Sequence, residues 1–250
     1  MKNWNITFCQ QVGKNKMRNH DALFNGQAVF QYKLKKAEMI EIQQESVILG
    51  IADGISNSPK PYLASRLVME ELAKVVQLNS TWLRDIRHKL TNRLARDYLG
   101  SATTTFVACE IDSNGKCKIL NVGDSRAYRI SVTGEWQQLS VDHTVLAEMQ
   151  AQGLVDAHIE YSTLYNGLTD SLVADYESSD FKVFSQEYQL NQGESILLCS
   201  DGLSSYLSPT LLSKIWQQYA NNKDRLTICR KMVQKHRLYD DFSAVICEFD

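Results

Sequence analysis

The chain has 250 residues, 27 basic against 29 acidic side chains for a formal net charge of −2, and 44% hydrophobic residues. That length suits a single large domain with a full core, and the balance excludes both a disordered chain and a protein that grips nucleic acid by bulk positive charge. No apolar run approaches the roughly 18 residues of a bilayer-spanning helix. The N-terminus, MKNWNITFCQQ, lacks the apolar stretch of a secretory signal, so a cytoplasmic location with no membrane partner is expected. The six cysteines include no C-x-x-C pair and mostly sit in apolar runs, as in Leu197-Leu198-Cys199. They read as small buried hydrophobes, not as a disulfide framework or a thiol metal site.

Apolar runs rich in β-branched residues predict strands at 6–9, 28–32 and 47–52. The period then changes. Ala64, Val68, Leu72 and Val75/Val76 follow helical spacing, and Leu83, Ile86, Leu90, Leu94 and Tyr98 form a second stripe with charges outside it. Strands are expected again at 103–111, 118–122 and 127–132, followed by a helical or irregular stretch over 142–178. A strand at 195–199, helices near 209–219 and 224–236, and a last strand at 243–249 complete the order. Pro209 after Ser208 marks a helix start. Helices that cluster instead of alternating with strands point to an α+β domain of antiparallel sheets covered by helices, spanning 1–250.

Four acidic positions share one context. Ile51-Ala52-Asp53-Gly54, Val122-Gly123-Asp124-Ser125 and Cys199-Ser200-Asp201-Gly202 each end an apolar run, and Tyr239-Asp240-Asp241 precedes the last one. An Asp just past a buried strand is rigidly held yet faces a loop mouth, which suits a metal ligand. The glycine that follows allows a sharp turn and close approach of its carbonyl to an ion. Carboxylates without His or Cys beside them select Mg²⁺ or Mn²⁺ over Zn²⁺. Asp-Gly is also common turn chemistry, and a single instance reads more readily as a turn than as a ligand. Spacing alone does not show that the four converge.

In this order the motifs resemble the metal-dependent serine/threonine protein phosphatases, the type 2C or PPM family, in its bacterial form. The resemblance rests on Asn19-His20-Asp21, Ile51 to Gly54, Ala102 to Thr105, Asn121 to Tyr128, Leu139 to Thr144, Leu198 to Leu203 and Asp240 to Ser243. It implies a four-layer α-β-β-α sandwich, two antiparallel sheets flanked by helix pairs, with a flap-like segment at about 143–178. There Tyr161, Tyr165, Asn166 and Asp170 are candidate substrate contacts. It implies two Mn²⁺ or Mg²⁺ ions and a weaker third site. By motif match Asp53 would bridge both ions with the Gly54 carbonyl on one, Asp201 and Asp240 would complete the other, Asp124 with Asp201 would hold the third, and Asp21 would hold water at the metal.

The family's phosphate-binding arginine falls at Lys16, with Arg18 two residues later, so these two cations share that expectation. Ile55 stands where many members carry a histidine acid, and Ile55 to Pro61 replaces a glycine-rich turn. His143 is expected to be structural and Arg126 to pair with a carboxylate. The function implied is hydrolysis of phosphoserine and phosphothreonine on a phosphoprotein partner by a monomer that opposes a Ser/Thr kinase. A catalytically weak or dead binding module and a phosphatase for small phosphomonoesters are the alternatives.

Overall fold

The computed structural model describes residues 1–32, 34, 36–94, 102–156, 167–176 and 180–250. Its elements begin with strands β1 (Lys2–Gln11), β2 (Asp21–Phe24), β3 (Val29–Phe30), β4 (Glu38–Gln44) and β5 (Ser46–Asp53), then helices α1 (Pro61–Leu72) and α2 (Ser80–Leu94). Next come β6 (Thr103–Thr104), β7 (Phe106–Asp112), β8 (Lys116–Val122), β9 (Arg126–Ile130), β10 (Trp136–Gln138), α3 (Val145–Ala151), β11 (Leu172–Val173) and β12 (Phe184–Gln189). The chain ends with β13 (Ser195–Cys199), α4 (Asp201–Ser204), α5 (Pro209–Gln218), α6 (Asn222–Val233) and β14 (Phe242–Glu248).

Two six-stranded sheets form, in the orders β10-β9-β13-β14-β1-β4 and β12-β8-β7-β5-β2-β3, with every pairing antiparallel. The period-2 pattern of each central strand explains the layers. Val47, Leu49 and Ile51 of β5 meet Ile196 and Leu198 of β13 and Val245 of β14 between the sheets. The alternate residues Ile48 and Ala52 turn to α1 and α2, where Leu72, Leu83, Ile86 and Leu90 pack on them. On the other side Leu197, Cys199, Ala244 and Ile246 face α5 and α6 through Leu212, Ile215, Leu226 and Cys229. The result is the expected α-β-β-α sandwich. All six cysteines are free and buried in these layers, and burial pushes the Cys9, Cys199 and Cys229 thiols up to about 12.

Several local expectations change. β4 and β12 lie at sheet edges, and only Ile42 of β4 is buried, so their mostly polar sequences carry no apolar run to betray them. The strand expected over 103–111 is two strands, because Thr105 leaves the sheet to bond Asp53 and β6 pairs with β11 instead. The first helix stops at Leu72, leaving Val75 in a turn and Val76 exposed. Ser208 caps α5 through Leu211 N–H with Pro209 at the first turn, as expected. Tyr98, Tyr161, Tyr165 and Asn166 lie outside the described residues.

Candidate active site

The strand ends that carry the acidic residues meet at one end of the sandwich. Asp53 closes β5, and Asp21, opening β2, stands directly opposite it in the antiparallel register. Asp124 follows β8, Asp201 follows β13, and Asp240 and Asp241 precede β14. Asp53, Asp124, Asp201 and Asp240 line one cavity of about 220 Å³ together with Ser56, Asn57 and Thr105. A second cavity of about 310 Å³ shares Asp124 and Asp201 and opens against Arg126, Asp142 and α3.

Hydrogen bonds and close packing tie together the strand ends that carry the carboxylates. The Asp53 N–H donates to Thr105 Oγ1 (3.1 Å), and its carbonyl accepts from Thr105 N–H and Thr104 Oγ1, both at 2.8 Å. Thr105 Oγ1 lies 2.8 Å from Ser125 Oγ, which ties the Asp124 turn to Asp53. Ser200 Oγ donates to Asp21 Oδ2 (2.7 Å) and accepts from Ser243 N–H (3.0 Å). The glycines act by close packing. A Cβ on Gly54 would stand 2.5 Å from the Pro61 carbonyl oxygen, and one on Gly202 only 1.8 Å from that of Asp241.

Crowding like charges in a buried place favours their protonated forms. Burial and the Asp21, Asp201, Asp124 and Asp240 carboxylates hold Asp53 well above the ordinary range. Burial and Asp241 push Asp21 up to about 8, and burial and Asp201 push Asp124 up to about 7. Burial and Asp240 raise Asp201 to about 6, against a hydrogen bond with Asp53 that lowers it. Buried oxygens Asp21 Oδ1 and Asp201 Oδ1 have no hydrogen-bond partner among the described residues. An all-carboxylate set with orphaned oxygens fits hard divalent cations in its chemistry. Among the described residues, no three acidic, histidine or cysteine side chains are arranged to hold an ion as they stand. The fit therefore rests on donor chemistry and the shared cavity.

The two cations diverge. Lys16 Nζ donates to Asp240 Oδ1, to Asp241 Oδ2 (2.9 Å) and to Ser56 Oγ (3.0 Å). Burial alone would lower the Lys16 pKa, but the two carboxylates outweigh it and raise it. Arg18 instead stacks over the Tyr62 ring at 4.8 Å, away from the acidic cavity. The adjacent aspartates also separate. Asp240 lines the cavity, whereas Asp241 is 1% exposed and accepts Gly13 N–H (2.7 Å) and His20 N–H (3.0 Å) besides Lys16. This anchoring role of Asp241 has no local sequence signal, because its partners lie 221 to 228 positions away.

His143 is structural, its Nδ1 accepting Gly123 N–H at 3.1 Å, and Arg126 pairs with Asp142 through Nε and Nη2. His20 lies beside the centre, where burial and the Lys16 charge lower its pKa. Asp170 accepts Lys182 N–H, and its neighbour Leu168 reaches the acidic cavity.

Comparison with known proteins bears on the family and the fold. The protein phosphatase 2C family model matches residues 37–235, and the chain belongs to that family. The serine/threonine phosphatase Stp1 from Staphylococcus aureus is similar in structure, with a TM-score of 0.78 and 20% identity over 98% of this chain and 94% of that one. So is the Mycobacterium tuberculosis serine/threonine phosphatase PstP/Ppp, with a TM-score of 0.78 and 17% identity over 99% of both chains. The catalytic domain of PstP in complex with two manganese ions gives a TM-score of 0.74 at 19% identity, again over 99% of both chains. No curated protein sequence matches significantly. Among the described residues, no helix is long and apolar enough to cross a membrane.

Proposed function

We propose that the chain is a metal-dependent phosphatase that hydrolyses phosphoserine and phosphothreonine on a protein substrate and so opposes a Ser/Thr kinase. The observation that carries this reading is the convergence of Asp53, Asp124, Asp201 and Asp240 on one cavity, with Lys16 held at its rim. Asp53, Asp201 and Asp240, with the Gly54 carbonyl, would hold two Mn²⁺ or Mg²⁺ ions, and Asp124 with Asp201 a weaker third. Such ions, when bound, supply hydroxide at neutral pH and offset charge on phosphoryl oxygens.

The chain's own groups do the rest. Lys16, kept cationic by two aspartates, sits where a phosphoryl oxygen would meet a point charge, while Asp21 offers an unshared oxygen to orient water from behind Asp53. Water oxygen forms the new bond to phosphorus in line as the bond to the Ser or Thr oxygen breaks, and the leaving oxygen takes its proton from solvent. Ile55 cannot supply that proton.

The test is hydrolysis of an aryl phosphate with Mn²⁺, with and without chelator, in the native protein and in Asp53→Asn and Asp201→Asn. Turnover should require Mn²⁺ and fall at least about a hundredfold in each variant. A folded native protein with no Mn²⁺-dependent turnover would make it a binding module. Equal preference for small phosphate esters and a phosphothreonine peptide would favour the small-ester reading.

A further inference from the structure

Beside the acidic centre lies a separate open groove of about 460 Å³, between the loop that follows β1 and the first turns of α1. Its walls include Tyr32 and Tyr62, the fully exposed Met17, and two arginines, Arg18 and Arg66. No carboxylate lines it among the described residues. The amides on its wall are already committed. Asn19 Nδ2 donates to the Tyr32 carbonyl and its Oδ1 accepts Asp21 N–H, while Gln31 Nε2 donates to the Tyr62 carbonyl and to Ser65.

The cations are not committed in this way. Arg18 makes no ion pair among the described residues and only stacks over Tyr62. Arg66 shares Nε with Glu70 across 2.7 Å, but that pair is exposed on both sides and therefore readily exchanged. Charge and shape thus suit an anionic side chain with apolar neighbours.

The groove and the acidic cavity have no lining residue in common, but one loop borders both. Lys16 touches Asp240 and Arg18 faces the groove, and two residues of chain span at most about 7 Å. A polypeptide whose phosphorylated residue lies at Lys16 would cross the groove two to four residues away. We propose that this groove is a docking subsite for the substrate polypeptide, in which Arg18 and Arg66 pair with an acidic side chain near the phosphorylated residue. The rings of Tyr32 and Tyr62 and the Met17 side chain would cover the apolar part of that segment. The proposal rests on the phosphoprotein reading above and adds a substrate preference to it.

The test uses phosphothreonine peptides that differ only in carrying Glu, Ala or Lys two to four positions before or after the phosphothreonine. Turnover is read with Mn²⁺, and binding of labelled peptides by fluorescence anisotropy, in the native protein and in Arg66→Glu. At one or more positions the Glu peptide should exceed the Lys peptide about fivefold in kcat/KM and in affinity. Arg66→Glu should reverse that order and leave aryl phosphate hydrolysis unchanged. Equal treatment of Glu and Lys peptides at every position, or a preference that survives Arg66→Glu, would overturn the subsite. Absence of turnover on every phosphate ester would sink the phosphatase reading instead, and the anisotropy ratio would then decide the groove alone.

Discussion

Asp241 shows how one buried side chain organises a site it does not line. Its two oxygens accept backbone N–H groups from Gly13 and His20, at both ends of the loop that carries Lys16, and the Lys16 ammonium as well. Removing a buried acceptor leaves those donors unpaired, which costs more than the bonds themselves contribute. Asp241→Ala should therefore lose about 3 kcal/mol in urea denaturation and raise KM for an aryl phosphate through a loosened Lys16. An unchanged denaturation midpoint would show that the loop is held by other contacts. The expectation that the neighbouring Asp240 is a ligand was legible through the family resemblance of Asp240 to Ser243. The anchoring role of Asp241 was not, since it depends on groups at the opposite end of the chain.

At the level of elements, the site is a set of strand ends locked to one another by close backbone contact. Gly202, the second residue of α4, packs directly against the Asp241 carbonyl, where a methyl group would stand 1.8 Å from the oxygen. Neither partner is a flexible side chain, so Gly202→Ala must push the start of β14 away from β13. We expect a loss of about 3 kcal/mol together with weaker Mn²⁺ binding by titration calorimetry. Native Mn²⁺ affinity in the variant would mean that Asp201 and Asp240 need not be held in register. Central strands such as β5 and β13 were readable because they are apolar on both faces, toward the other sheet and toward the helices. The edge strands β4 and β12 bury only Ile42 between them and have a polar composition, so nothing in them stood out from loop. The break at Thr105 was hidden for a different reason. Its cause is a pair of hydrogen bonds to Asp53, fifty-two positions earlier.

For the whole molecule, the carboxylate cluster is a source of pH-dependent instability when no cation offsets it. In the unfolded chain these groups release their protons near pH 4, whereas in the fold Asp201, Asp124 and Asp21 keep theirs to about 6, 7 and 8. The folded state then binds more protons than the unfolded state between those limits, so stability falls as pH rises from 4 to 8. In chelator, the denaturation free energy should drop by at least about 2 kcal/mol across the window. Mn²⁺ at a hundred times its Kd should restore about 2.7 kcal/mol at pH 8. A profile flat from pH 4 to 8 in chelator would mean that the carboxylates do not repel one another.

The sequence by itself determined an α+β domain of antiparallel sheets covered by helices and the identities of the acidic residues, while the four layers came through the family resemblance. Hydrophobic periodicity decides which face of each strand is buried, and an aspartate that ends an apolar run must emerge where the sheet stops. Only the tertiary structure decided that Asp53, Asp124, Asp201 and Asp240 share one cavity, that Lys16 joins them while Arg18 turns toward Tyr62, and that Asp241 holds the loop between. Those are contacts between residues far apart along the chain, set by strand order and register. Local propensity carries no information about either.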